Sequence, residues 1–191
     1  MIGRVSVGFD PGLANCGFGV VERQGSRLTW LEYGTITTDA ARPLEEREAL
    51  IWSEASRLVA EHHPTVIGLE DQSGVATAAR MNVKRQLEAA RRGGEVQGFG
   101  FNASNDGVVE VVGVLKAVAF AYRVPILMMQ PRSVKVQLLG TGSGKAEKQE
   151  IKAAIARLFP DAGRMSSHAA DGLAIAIGAE RISFLETLRA G

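Results

Sequence analysis

Short stretches in which apolar and polar positions alternate open this chain. Val5, Val7 and Phe9 fall on one face of an extended segment and Ser6 and Gly8 on the other, which is the period of a β-strand. Asp10 closes the segment and Pro11-Gly12 force a turn, so a carboxylate stands at the tip of the first strand. A second strand runs back over 17–22, its glycines 17 and 19 suited to a close neighbour. A third over 28–36 completes an antiparallel meander and closes in Thr37-Thr38-Asp39. The period then changes. Pro43 starts a charged helix over 44–62, in which Leu44, Leu50, Ile51, Leu58 and Val59 make an apolar stripe with Trp52 at its edge. Residues 66–70 are a short apolar strand, and it too ends in an acid, Glu70.

Beyond Glu70 the pattern predicts a helix over 76–92 stopped by Gly93-Gly94, then a glycine-rich loop over 98–107 holding Phe99 and Phe101. A strongly apolar helix over 108–122 follows, then a strand over 124–129 whose two methionines read as core. Pro131 opens a helix carrying Arg132 and Lys135 that stops near Gly140. After a flexible turn over 141–145 comes a helix over 146–159, with Ile151, Ile155 and Leu158 inward. The last helix runs over about 168–188, with Ser167 as its N-cap.

Three antiparallel strands, helix, strand, helices, strand, helices is an α/β arrangement with a ribonuclease H-like layout: a five-stranded mixed sheet flanked by helices. In that layout the first and fourth strands are adjacent and parallel, so Asp10 and Glu70 emerge at one sheet end. His168 and Asp171, three apart, share a face of the last helix's first turn. Ala169, Ala170 and Ala174 let that helix lie close on the sheet. Three acids and an imidazole brought together require a counter-charge. Divalent cations provide it; carboxylate-rich sites suit Mg²⁺ or Mn²⁺, and two such ions stabilise the attacking water and leaving oxygen of a phosphodiester. Helix capping accounts for His168 or Asp171 singly but not for the convergence.

The totals add boundaries. A length of 191 residues with 46% hydrophobic positions suits one domain over 1–191, and no stretch is long and apolar enough to span a membrane. The chain passes directly into its first strand without a leader-like segment, and a lone cysteine, Cys16, fits a reducing compartment, so a cytoplasmic protein is expected. Net charge is only +1, yet Arg80, Lys84, Arg85, Arg91 and Arg92 cluster in one segment and Arg132, Lys135, Lys145, Lys148 and Lys152 in another. They allow a basic face around an acidic pocket, although solvated helix surface accounts for such runs more often than nucleic acid does. The His62-His63 pair invites a metal, but neighbours in sequence point apart and helix C-termini favour histidine.

Gly8-Phe-Asp10-Pro-Gly12, Leu69-Glu70, Gln130-Pro-Arg-Ser-Val-Lys135, Gly144-Lys-Ala-Glu-Lys148 and the run from His168 through Asp171 to Ile177 resemble the RuvC family of Holliday junction resolvases, in order and over nearly the whole chain. The resemblance implies a metal-dependent endonuclease that cuts four-way DNA junctions symmetrically as a homodimer, beside the RuvA–RuvB branch-migration complex. It places Asp10, Glu70, His168 and Asp171 on the family's four metal-binding catalytic positions, where the third is aspartate in some members and histidine in others. Lys135 and Lys148 match basic positions used on DNA, and Arg132 and Lys145 lie beside them. The sequence departs from the family after Glu70: a base-stacking phenylalanine is usual there, and this chain has Asp71-Gln72-Ser73-Gly74, with about 74–104 inserted. Phe99 and Phe101, preceded by Arg91 and Arg92, are candidates to replace it, or else they anchor the loop on the core. The apolar helix over 108–122 is expected to form the dimer, or to be covered by the insertion. Actin-like sugar kinases share an Asp-x-Gly turn but need a second copy of the fold. A non-catalytic module would not keep all three acids, and a nuclease for other branched or flapped DNA is the nearest alternative.

Overall fold

In a computed structural model the chain is described over residues 3–71, 103–140 and 148–190, without the side chains of 103–106, 148 and 187–190. The meander is β1 (Arg4–Asp10), β2 (Asn15–Gln24) and β3 (Arg27–Thr37), followed by α1 (Leu44–His62) and β4 (Val66–Glu70). Then come α2 (Ala103–Ala121), β5 (Ile126–Met129), α3 (Pro131–Leu139), α4 (Lys148–Leu158) and α5 (Ser167–Ala190). The sheet order is β3-β2-β1-β4-β5, antiparallel through the meander and parallel for β1·β4 and β4·β5. This is the expected mixed five-stranded sheet.

Alternation divides the side chains between two cores. Val7, Phe9, Phe18, Ile67 and Leu69 face α1 and α2, which contribute Ile51, Ala55, Leu58, Val111, Leu115 and Val118. The opposite face carries α3, α4 and α5, with Val134, Ile155, Leu173 and Ile177 at its centre. There the sheet presents glycine instead of apolar bulk. A Cβ built on Gly8, Gly17 or Gly19 would run into the backbone of α5, and one on Gly172 would sit 2.5 Å from the Phe18 nitrogen. Helix and sheet therefore touch backbone to backbone, closer than side chains on both partners allow. The neighbour anticipated for Gly17 and Gly19 is α5.

Several boundaries and positions differ from the sequence reading. The helix expected from residue 108 begins at Ala103, although Asn105-Asp106-Gly107 has turn composition. Gly107 is buried there, and a Cβ on it would lie 3.0 Å from the Leu13 side chain, so tertiary packing overrides local propensity. β5 begins at Ile126 because Pro125 has no N–H, though its carbonyl still accepts from Ile67 at 2.9 Å. The N-cap of α5 is Ser166, not Ser167: the Ser166 hydroxyl accepts the Ala169 N–H at 3.0 Å, and its carbonyl accepts the Ala170 N–H. Leu158 is exposed and Phe159 takes the inward place; Leu44 and Leu50 flank the α1 stripe instead of joining it. Met129 is core, whereas Met128 alternates outward on an edge strand. The helix expected over 76–92 lies outside the described residues. Among those described, no helix is long and apolar enough to cross a membrane.

Candidate active site

Parallel pairing of β1 with β4 matches Phe9 to Leu69, so the next residues, Asp10 and Glu70, leave the sheet side by side. Proline follows Asp10, and Asp71 N–H bonds the Met129 carbonyl at 2.8 Å, so both strands stop at a fixed place. The Ser166 cap fixes the start of α5, and the glycine contacts bring its first two turns down on β1 and β2. His168 Nδ1 lies 3.2 Å from Asp10 Oδ2, a contact in which the ring nitrogen carries the hydrogen and the carboxylate accepts it. Asp10, Glu70, His168 and Asp171 line one open cleft of about 380 Å³, with Lys135 from the second turn of α3 and an apolar floor that includes Val134, Ile151 and Ile175. The donor set is rich in carboxylate oxygen, and Lys135 is one cation among three acids, so the cleft suits a hard divalent ion.

The other expected contact residues are distributed differently. Arg132 is exposed at the start of α3 and does not line the cleft. Lys148 begins α4, and its side chain lies outside the described residues, as do Lys145, Arg91, Arg92, Phe99 and Phe101 altogether. Cys16 is buried beside the site; burial pushes its thiol up to about 12, so it is a small apolar residue with no thiolate chemistry. The His62-His63 pair resolves simply. His63 is the left-handed C-cap of α1, while His62 Nε2 is 2.9 Å from Glu32 Oε2. Glu32, Glu61 and His62 offer ligand atoms within 4.8 Å of one another, but Arg57 already binds Glu32 at 2.8 Å and Glu61 at 2.7 Å. A guanidinium occupies the place a cation would take.

Sequence reasoning overlooked one feature beside the cleft, the pairing of Arg47 with Thr38 under the turn that follows β1. Its sole trace in the sequence is a threonine at a strand end and an arginine in the first turns of a helix.

The sheet order and the placement of acids at the ends of β1, β4 and α5 define the ribonuclease H-like fold. A family description, crossover junction endodeoxyribonuclease RuvC, matches residues 6–104. The Hyphomonas neptunium relative of that name is 31% identical over 171 residues, 90% of this chain and 87% of the relative; that of Leifsonia xyli subsp. xyli is 31% identical over 90% and 71%. Among solved structures, T. thermophilus RuvC in complex with a Holliday junction substrate superposes with a TM-score of 0.74 at 25% identity, over 96% of this chain and 97% of that one. The yeast mitochondrial Holliday junction resolvase shares the fold, with a TM-score of 0.59 at 15% identity over 97% and 81%. The chain belongs to the RuvC family of crossover junction endodeoxyribonucleases. It is therefore a DNA-hydrolysing enzyme of recombination and repair, and membership implies use of a divalent metal.

Proposed function

We propose that the cleft between Asp10, Glu70, His168 and Asp171 is the centre at which this chain cuts four-way DNA junctions. The observation that carries the reading is the meeting of two parallel strand ends with the capped start of α5. These four side chains would hold Mg²⁺ or Mn²⁺, two ions per site, which supply charge neutralisation and an activated water when bound. The chain's own part is to keep the acids in register and to make a phosphate tolerable among them. Lys135 contributes its ammonium to the phosphate, and the apolar floor limits water around it. Arg132, Lys145 and Lys148 would contact the DNA backbone.

Further features of the reading rest on family resemblance and on the outer face of α2. A homodimer would place two clefts on the two like strands of a junction and so cut them symmetrically, beside the RuvA–RuvB complex in the cytoplasm. The chain forms one domain over 1–191 with an elaboration at about 74–104, where Phe99, Phe101, Arg91 and Arg92 hold unstacked bases in place of the usual aromatic.

Asp10→Asn tests the assignment. It should still shift a synthetic four-way junction on a gel, while cutting slows at least about 100-fold, the scale on which one transition-state contact is lost. Cutting at near wild-type rate with Mg²⁺ or Mn²⁺ would disprove the role of the cleft. Linear duplex and flap substrates in the same assay separate junction resolution from general branched-DNA cleavage.

A further inference from the structure

A second cleft, of about 290 Å³, adjoins the first. Its walls are the turn over 12–15, Arg47 of α1, Val108 of α2 and His168, and His168 is the residue that lines both clefts. Arg47 is half-buried and its Nε donates to the Thr38 hydroxyl at 2.9 Å. Thr38 is itself buried. It passes its own hydroxyl hydrogen to the Leu13 carbonyl at 2.5 Å and its N–H to the Ala14 carbonyl at 3.1 Å. Arg47 thus ends a chain of bonds that pins the turn directly after Asp10.

Among the described residues this arginine has no counter-ion. Arg57 is bound by three carboxylates, and Arg23 meets Glu180 at 2.6 Å. Among the described residues no carboxylate lies within ion-pair distance of Arg47, and its other guanidinium nitrogens have no side-chain partner. A guanidinium has five donors in a rigid fork that matches a phosphate edge. Fixing it through Nε, in a cleft wall and clear of any described acid, prepares an anion site at little cost in side-chain entropy.

We infer that Arg47 binds a backbone phosphate of the strand being cut, adjacent to the phosphate in the acid cleft, with His168 as the partition between them. The inference rests on the acid cleft being the cutting centre: a strand seated there must continue past His168, and the second cleft is the adjoining space. Lys135 serves the phosphate in the first cleft and Arg47 serves its neighbour.

The test is junction binding in EDTA, where nothing is cut, measured over a range of salt. Each neutralised phosphate contributes about 0.9 to the slope of log K against log salt on duplex DNA, and about 0.7 on single strands. Arg47→Met, which keeps the stem and loses the charge, should reduce the slope by about that amount and weaken binding about 5- to 10-fold whatever the junction sequence. Arg47→Lys should restore the slope. A neutral methylphosphonate next to the cut should weaken the wild type and make no difference to Arg47→Met. Should the methionine variant unfold, Arg47→Gln, which keeps a donor for Thr38, takes its place in the same measurement. An unchanged slope in a folded, uncharged variant would overturn the inference and leave Arg47 as a tether for the turn. So would a methylphosphonate effect confined to phosphates remote from the cut. Wild-type cutting of the same junctions, followed in parallel with Mg²⁺, keeps a failure of the cutting-centre reading distinct from a failure of this one.

Discussion

Gly17 shows how much a single hydrogen in place of a methyl group decides. A Cβ there would strike the backbone carbonyl of His168, so the residue that allows α5 to land also sets the height of the acid cleft. Gly17→Ala should cost about 1–3 kcal/mol, the usual scale of overpacking, and should slow cutting per folded molecule because the first turn of α5 must lift. Denaturant midpoints and single-turnover rates check both parts; wild-type values for each would show that the helix can yield without cost. At this scale the sequence was partly legible. Asp10 and Glu70 announce themselves as acids ending apolar strands, and the glycines of β2 as places of close approach. Arg47 did not announce itself. The spacing within α1 identifies an apolar stripe but not which of its cations turns toward Thr38, a partner supplied by a strand end nine residues earlier.

Elements are held to one another by a few charged contacts as well as by the core. Arg57 joins α1 to β3 by binding Glu32, with His62 on the same carboxylate. The guanidinium, chiefly, holds the Glu32 carboxyl below its ordinary range, against the smaller opposing effect of burial. A carboxyl depressed in the folded state gives stability that is fully present above its unfolded value, near 4.5, and is lost as pH falls through the folded value. Glu32→Gln should therefore flatten the decline in stability below about pH 4.5. At neutral pH it should cost less than about 1 kcal/mol, since the pair is only half-buried and Glu54 and Glu61 still hold Arg57. Acid titrations of the two proteins with superimposable profiles would show that the ion pair contributes nothing to the docking of α1. Element order and type were legible from periodicity throughout the described residues. The ends were less so, because caps and breakers act through three-dimensional partners. Ser166 and Ser167 are indistinguishable as sequence, yet only one finds the Ala169 N–H. Asn105-Asp106-Gly107 becomes helix because Leu13 is waiting for Gly107.

For the whole molecule, the apolar character of α2 was plain in the sequence, and the structure separates its two sides. Val111, Leu115 and Val118 enter the core, while Val109 and Phe120 stay outside, Phe120 being 87% exposed. An exposed phenylalanine on an already satisfied helix is the kind of residue a two-fold partner covers. If the proposed homodimer forms through this face, Phe120→Asp should leave a monomer in light scattering and uncouple the two cuts on a junction while leaving the fold intact. A wild-type chain that is monomeric at micromolar concentration and still cuts both strands would remove this role for the face.

The acids of the cleft are contributed by residues 10, 70 and 171, and the helix bearing the last of them is closed against the strand bearing the first. Of the elements described, α5 is the last to be synthesised. A chain still on the ribosome can assemble the meander and β4 and display two acids, but the third arrives with the final helix. On the reading that the cleft cuts DNA, an unfinished copy is chemically silent: translation must run through α5 before the cell holds anything able to break a chromosome.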